Sequence, residues 1–409
     1  MKTIILFTLF IPSFVMAQSG IKFEHELTWQ QILKKAAEEK KYIFMDAFTT
    51  WCGPCKYMSA NVFTQDAVGE LFNANFVNVK VQLDTTKKDD EQVKSWYPDA
   101  HKIMTDYKVN VFPTFLIFSP EGKLVHRMIG SSEADEFLLR GKNALSEENQ
   151  YYVMLSKYNA GQKDVDFLYK LAKASQEAFD KENTGKIVSD YFKIQSNYFT
   201  KENAELLLNS TESSKDGGFK VLSENPKKFD EVLGNNSVSV TIIDIIKKEE
   251  IFPLIFKKSV ITPDWKTISA SVTKKFPAFA SEAVEGAKLD YYQKKQDWVN
   301  YGVTLQSYMN SYGSKMTGNQ LNEVAWKVFD NCKDVSLLTK ALEWSKRSFE
   351  GNNNPMFMDT YANLLYKLGQ TDEAITWETK AIDMVSESEK KDYSETLIKI
   401  KSGEKTWKN

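Results

Sequence analysis

Two of the three cysteines in this 409-residue chain, Cys52 and Cys55, are separated only by Gly53 and Pro54, whereas Cys332 lies far along the sequence. Two thiols at this spacing suit three kinds of chemistry: reversible disulfide exchange, metal binding and a fixed cross-link. The spacing alone does not distinguish these three chemistries, so the surrounding residues must be considered.

A zinc site and a purely structural disulfide are both poor explanations of the pair. Zinc needs four ligands, commonly from a second cysteine or histidine pair, and the rest of the chain offers one cysteine and three separated histidines. A fixed disulfide across so short a loop restricts the unfolded chain very little. We therefore favour redox chemistry, and we expect the lone Cys332 to be packed and inert.

The residues around the pair predict a strand that leads into it and a helix that follows it. Residues 42–45 form a short apolar run flanked by charge, which is typical of a buried strand. After the cysteines, apolar residues return at helical spacing through Met58, Val62 and Phe63. A Cys-x-x-Cys pair in a strand–turn–helix context is typical of a redox site.

This context gives each residue of the motif an expected role. The N-terminus of a helix stabilises a thiolate, so Cys52 is expected to be the nucleophile. Cys55 lies one turn further along the helix and can resolve the mixed disulfide. Gly53 lets the backbone turn, Pro54 suits the first helical turn, and Trp51 can shield one side of the sulfurs.

Further elements predict a mixed central sheet with helices on both faces. Residues 76–83 alternate at period two, and residues 114–118 and 124–129 predict a hairpin. Helical patterns cover residues 27–40 and 133–145, and residues 85–107 are predicted to be helical with a break at Pro98. A parallel crossover followed by an antiparallel hairpin predicts an α/β fold for this part of the chain.

Several residues stand in register with the cysteine motif. They are Asp46, Phe48, Trp51, Lys56, Lys80, Asp84, Phe112, Pro113, Thr114 and Gly130. With this set, residues 42–130 resemble thioredoxin, and residues 63–76 extend the resemblance to exported thioredoxin-like domains similar to the C-terminal domain of periplasmic disulfide reductases. The resemblance implies an α/β thioredoxin fold over residues 21–148.

The resemblance also implies roles for residues outside the motif. Pro113 would be a cis-proline facing the sulfurs, and the backbone of Phe112 would pair with a substrate strand. Asp46 would be a buried carboxylate beneath Cys55 that handles its proton, with Lys80 nearby. Elementary electrostatics agrees, because a carboxylate in an apolar strand has a raised pKa and suits proton transfer near neutral pH.

From about residue 150 the sequence predicts helices, so the second part of the fold is an all-α helical-repeat domain. Ala341 and Trp344 recur 33 positions later as Ala374 and Trp377. That period resembles the tetratricopeptide repeat, a helical hairpin of about 34 residues. We predict an unassigned helical region over residues 149–315 and tetratricopeptide-like repeats over residues 316–409, which offer a surface for a protein partner.

The first 17 residues predict export. Lys2 precedes an apolar run, and Val15 and Ala17 occupy the −3 and −1 positions of a cleavage site. An uncleaved anchor is the alternative, and no later stretch is long and apolar enough to span a membrane. The net charge of −2 argues against a nucleic-acid partner.

These observations predict an exported thiol–disulfide oxidoreductase, located in a bacterial periplasm, that acts on protein substrates with disulfides. The Gly-Pro dipeptide resembles that of the reducing members of the family, so we favour reduction, with electrons from a membrane donor. No metal or organic cofactor is implied. The alternatives are a disulfide oxidase or isomerase, and an interaction protein that uses the thioredoxin-like domain only for docking.

Overall fold

A computed structural model describes residues 20–234, 236–257, 262–387 and 389–407. The predicted signal peptide, residues 1–17, lies outside the described residues. The chain divides into two compact units, of which the first ends at Ser196 and the second runs from Asn197 to Asn409.

A five-stranded mixed sheet forms the centre of the first unit. Its strands are β1 (Phe23–Glu24), β2 (Tyr42–Phe48), β3 (Phe76–Gln82), β4 (Thr114–Phe118) and β5 (Leu124–Ile129). The spatial order is β1-β3-β2-β4-β5. β3 is parallel to β1 and β2, whereas β4 is antiparallel to β2 and β5. The predicted mixed sheet is therefore confirmed, with β1 as an additional short edge strand.

Helices cover both faces of this sheet. They are α1 (Trp29–Glu39), α2 (Gly53–Tyr57), α3 (Asp66–Asn75), α4 (Glu91–Ser95), α5 (Tyr97–Asp106) and α6 (Ala134–Ala144), and a π-helical turn (Met58–Val62) continues α2. Side chains of β2 alternate between the faces. Ile43 and Met45 pack in one apolar cluster with residues of α1 and α5, and Phe44 packs in a second with residues of α3 and α6.

The predicted break at Pro98 is displaced. α4 ends at Ser95, α5 begins at Tyr97, and Trp96 joins them, so Pro98 lies inside the first turn of α5. A proline is tolerated there because the first N–H groups of a helix have no intrahelical partner. Trp96 is buried and its indole N–H donates to the carbonyl of Leu27 at 3.2 Å.

Three further helices belong to the first compact unit: α7 (Tyr151–Asn159), α8 (Val165–Glu177) and α9 (Lys181–Ile194). The buried ring of His126 on β5 accepts a hydrogen bond from the backbone N–H of Tyr151 at 3.0 Å. The Tyr151 hydroxyl in turn donates to Asp180 at 2.8 Å. Burial and the nearby Arg140 lower the pKa of His126 to about 4, so its ring stays neutral and able to accept.

The second unit is helical in its described residues. Its helices are α10 (Lys201–Asn209), α11 (Gly217–Glu224), α12 (Pro226–Leu233), α13 (Ser237–Ile246), α14 (Phe252–Ile255), α15 (Trp265–Lys275), α16 (Ala280–Lys295), α17 (Trp298–Tyr312), α18 (Gly318–Asn331), α19 (Val335–Ser348), α20 (Pro355–Lys367), α21 (Thr371–Ile382) and α22 (Lys390–Ser402). Residues 238–246, whose β-branched pattern fits a strand or a buried helix, are helical in α13. Across the described ranges, no helix is long and apolar enough to cross a membrane.

Candidate active site

The two cysteines lie where β2 has ended and α2 begins. Cys52 is the N-cap of α2, and its sulfur accepts the backbone N–H of Cys55 at 3.1 Å. The two sulfurs are joined in a disulfide, with 5.3 Å between the Cα atoms. Both cysteines are buried, with relative exposures of 3% and 4%. Pro54 occupies the first turn, where its missing N–H leaves no hydrogen bond unmade.

The loop that carries the pair is fixed to the end of β3. The backbone N–H of Thr50 donates to Asp84 at 2.9 Å, and the Thr50 hydroxyl donates to the other carboxylate oxygen of Asp84. The N–H of Cys52 donates to the carbonyl of Thr49 at 3.2 Å. Trp51, in contrast, is 69% exposed. The pair therefore lies on an ordered turn beside an exposed indole.

A second segment reaches the same region from the start of β4. The Phe112–Pro113 peptide bond is cis, as the resemblance to thioredoxin implies. The ring of Phe112 meets that of Trp51 edge-on, with 5.7 Å between centroids. The Pro113 carbonyl accepts the N–H of Gly130 at 3.0 Å, and the Thr114 hydroxyl donates to the carbonyl of Val111 at 2.7 Å. The structure thus brings Phe112 next to the cysteine motif.

Asp46 is the buried acid of this region. Its relative exposure is 1%, it lies on β2, and β3 places Lys80 directly opposite. The Lys80 ammonium is 3.5 Å from one carboxylate oxygen. Burial raises the pKa of Asp46 to about 6, and the positive charge of Lys80 limits that rise. A carboxyl group that titrates near neutral pH is suited to general acid–base work.

Lys80 itself is held by more than its ion pair. Its ammonium donates a hydrogen bond to the Ser59 hydroxyl at 2.7 Å. It also lies 4.9 Å from the ring centroid of Phe48 and 5.5 Å from that of Phe23. Cation–π contacts at these distances are attractive. The sequence prediction missed Ser59, because nothing in the local pattern shows that its hydroxyl meets a lysine 21 positions away on another element.

The remaining cysteine is in a different environment. Cys332 is buried in the second unit, and burial raises the pKa of its thiol to about 11. A thiol with that pKa is largely protonated near neutral pH and is a poor nucleophile. In the part of the chain that the structure describes, no cluster of three or more His, Cys, Asp or Glu side chains is arranged to hold a metal ion.

Comparisons with known proteins match the region that contains this site. A family model described as a thioredoxin-like domain matches residues 29–145. Thioredoxin H-type 2 of Nicotiana tabacum is 30% identical over 105 residues, which is 26% of this chain and 73% of that protein. The chain belongs to the thioredoxin family. Members of the thioredoxin family are thiol–disulfide oxidoreductases, and the pair Cys52–Cys55 lies within the matched residues.

Two further similar proteins are a plant thioredoxin and a bacterial protein of solved structure. Thioredoxin H3 of Arabidopsis thaliana is 31% identical over 107 residues, covering 26% of this chain and 75% of that protein. Among solved structures, a provisionally assigned disulphide-isomerase of Bacteroides thetaiotaomicron is 37% identical, with 32% of this chain and 98% of that chain covered at a TM-score of 0.26. Each of these matches covers about a third of this chain or less.

Proposed function

We propose that this thioredoxin-family protein is an exported reductase of protein disulfides. The observation that supports this most strongly is the Cys52–Cys55 disulfide at the start of α2, within the same unit as the buried carboxyl group of Asp46. The cysteine pair can carry out thiol–disulfide exchange, and an acid that titrates near neutrality can take up the proton of a reacting thiol.

The reaction begins with both cysteines as thiols. The Cys52 thiolate attacks one sulfur of the substrate disulfide, and the other substrate sulfur leaves as a thiolate that takes up a proton. Cys55 then loses its proton to Asp46 and attacks the Cys52 sulfur of the mixed disulfide, which breaks the bond from Cys52 to the substrate and releases the second substrate sulfur as a thiolate that takes up a proton. The products are two substrate thiols and the Cys52–Cys55 disulfide, so two electrons have passed to the substrate.

The segment that contains the cis peptide bond is proposed to position the substrate. The backbone of Phe112, which precedes Pro113, would pair with an extended strand of the substrate protein, and Thr114 begins the strand that fixes this segment. The exposed face of Trp51 next to Phe112 adds an apolar contact surface. No metal or organic cofactor enters this scheme.

The proposal places the protein outside the cytoplasm. Residues 1–17 are proposed to be a signal peptide that directs export, in the setting of a bacterial periplasm. A reductase there must be reduced again after every turnover, which implies an electron donor in the membrane. Residues 21–148 would form the thioredoxin-like domain, residues 149–315 a helical region and residues 316–409 the tetratricopeptide-like repeats.

Trapping of the mixed disulfide tests this proposal. The variant Cys55→Ala cannot resolve the intermediate, so it should accumulate a covalent complex with a protein that contains disulfides, such as insulin, and dithiothreitol should release it. Cys332→Ser, in the Cys55→Ala background, is the matched control and should leave the yield of complex unchanged. Cys52→Ser should form no complex. A complex that forms equally well without Cys52 contradicts the proposal.

The second candidate function, partner binding by the helical part of the chain, is favoured by a cavity in the second unit that is lined partly by the helical region 149–315 and partly by the proposed repeats. Its volume is about 640 Å³ and it lies between α17 and the start of α19. Val299 and Val303 line it and are exposed, at 78% and 67%. If binding rather than redox chemistry is the function, Cys52→Ser should leave the biological effect intact, whereas Val303→Asp should abolish it.

A further inference from the structure

The ammonium of Lys80 has two oxygen atoms near it, and their distances from the nitrogen differ. It is 2.7 Å from the Ser59 hydroxyl but 3.5 Å from the nearer oxygen of Asp46. Charge-assisted N–H···O bonds to carboxylates normally measure about 2.7–2.9 Å. The lysine therefore makes its short bond to the neutral hydroxyl and only a longer ion pair to the charged acid.

We propose that Ser59 is a positioning residue, which accepts the hydrogen bond of Lys80 and thereby holds its ammonium at ion-pair distance from Asp46 instead of in a hydrogen bond to it. Ser59 touches neither substrate nor the reacting sulfurs in this scheme. It acts through Lys80 on the acid that handles the proton of Cys55. The catalytic consequence rests on the proposed function, whereas the electrostatic effect on Asp46 does not.

The surroundings of Lys80 make the position of its ammonium sensitive to this one hydroxyl. The rings of Phe23, Phe48 and Phe63 all lie within 5.7 Å of the ammonium, so they attract the cation without supplying a directed hydrogen-bond acceptor. Ser59 lies on the π-helical turn that follows α2, and the aligned strands β2 and β3 fix the backbones of Asp46 and Lys80.

The carboxyl of Asp46 has few charged groups around it. β3 contributes Lys80, and β4 places the uncharged Phe115 opposite Asp46. Both oxygens of Asp46 are buried and accept no hydrogen bond from the described residues. Burial raises the pKa of Asp46, and Lys80 is the charged side chain that opposes this rise.

Loss of the hydroxyl should therefore change the acidity of Asp46. Without Ser59, the ammonium can move from 3.5 Å to hydrogen-bond distance, about 2.8 Å, from the carboxylate. At an effective dielectric constant of about 20, this approach strengthens the attraction enough to lower the pKa of Asp46 by about one unit.

Titration of the Asp46 carboxyl by ¹³C NMR tests this, on the full-length oxidised protein labelled at aspartate side chains. In Ser59→Ala, the pKa of Asp46 should fall by about one unit. Ser59→Thr keeps a hydroxyl and should leave the pKa of Asp46 within about 0.3 unit of that in the unchanged protein. If Ser59 had only a structural role, the pKa would not depend on whether the replacement keeps a hydroxyl. In a Lys80→Met background, Ser59→Ala should have no effect.

Three results would overturn the proposal: an unchanged or higher pKa of Asp46 in Ser59→Ala, an equal shift in Ser59→Thr, or a shift that persists without Lys80. The oxidised protein needs no substrate for this measurement. A protein that shows the shift but reduces no disulfide would refute the proposed function and leave the positioning role intact. A protein that reduces disulfides without the shift would do the reverse.

Discussion

The two units of this protein each bury a carboxyl group, and they treat it differently. In the first unit, Asp46 has a lysine ammonium 3.5 Å away, so burial and an opposite charge act on its pKa in opposite directions. In the second unit, Glu378 on α21 is fully buried and its neighbour is another acid, Asp359 on α20. There, burial and the like charge both raise the pKa of Glu378 well above its usual range.

The difference separates an acid that can exchange its proton from one that keeps it. A buried acid balanced by a cation titrates near neutral pH, as a general acid or base must. A buried acid beside a like charge retains its proton near neutral pH, and Asp359 is the like charge that helps to raise the pKa of Glu378. Asp359 accepts the side-chain amide of Asn363 at 3.1 Å. We therefore interpret the second pair as structural.

The two units also differ in their cysteines, and replacing Cys52 of the first unit or Cys332 of the second gives the largest expected contrast in activity. Cys52→Ser should lower the rate of insulin reduction by roughly 10³-fold or more, because the nucleophile is lost. Cys332→Ser should change that rate less than about twofold, because its thiol is buried and largely protonated. A large loss of activity in Cys332→Ser would show that the two regions do not differ as described.

Replacement of Asp46, the buried acid with a lysine beside it, should have the next largest effect on the rate of disulfide reduction. Asp46→Asn keeps the shape but cannot take the proton of Cys55, so resolution of the mixed disulfide should slow by about 10²-fold. In the unchanged protein, the rate should rise as the pH passes through about 6, where Asp46 loses its proton. Stopped-flow measurement at several pH values checks both points, and a rate in Asp46→Asn that keeps the same pH dependence would contradict them.

Glu378, the buried acid with another acid beside it, should affect the stability of the fold and not the activity. The folded-state pKa of Glu378 is raised above its ordinary value of 4.5. The contribution of this group to the free energy of unfolding is therefore fully present below pH 4.5 and is lost as the pH rises through the raised pKa. The free energy of unfolding should therefore fall between pH 5 and pH 9 by at least about 1 kcal/mol more in the unchanged protein than in Glu378→Gln. Urea unfolding followed by tryptophan fluorescence measures it.

The control for this prediction lies on the same helix. Glu373 is exposed on α21, so Glu373→Gln should leave the pH dependence of unfolding as it is in the unchanged protein. Glu378→Gln should also leave insulin reduction unchanged. Equal pH dependences in Glu378→Gln and Glu373→Gln would show that Glu378 does not hold a proton in the folded state.

The smallest effect is expected at the apolar contact beside the cysteines. Phe112→Ala removes the edge-on contact with the exposed Trp51, and such ring pairs contribute about 0.5–1.5 kcal/mol. We expect the KM for a protein disulfide to rise a few-fold, about 2- to 10-fold. The rate with a small disulfide such as oxidised glutathione should stay unchanged. Equal losses with both substrates would indicate a general disturbance of the site.

The sequence predicted the main strands and the cysteine motif because these patterns are local. The alternation of residues 76–83 and the apolar run before Asp46 indicate strands without reference to the rest of the chain. The cis bond before Pro113 came from the resemblance to thioredoxin. β1 was missed, since two residues are too few to show alternation.

Contacts between distant segments were beyond what local patterns show. The hydrogen bond between Lys80 and Ser59 depends on how the π-helical turn packs over β3. Asp359 and Glu378 lie on two different helices. In the local sequence of each helix, the acid looks like an ordinary surface residue, so nothing indicates that the two meet. The bond from Tyr151 to His126 ties a helix after residue 148 to the sheet, and nothing in either local sequence indicates it.

The reduction potential of the Cys52–Cys55 pair tests the central claim most directly. The mature protein would be equilibrated in dithiothreitol or glutathione buffers of graded potential, and its free thiols would be alkylated and counted. We predict reversible two-electron cycling with a potential below about −240 mV, in the range of a reductase. A value near or above that of the glutathione couple would contradict reduction and indicate an oxidase or isomerase. A pair that does not cycle would contradict the redox function itself.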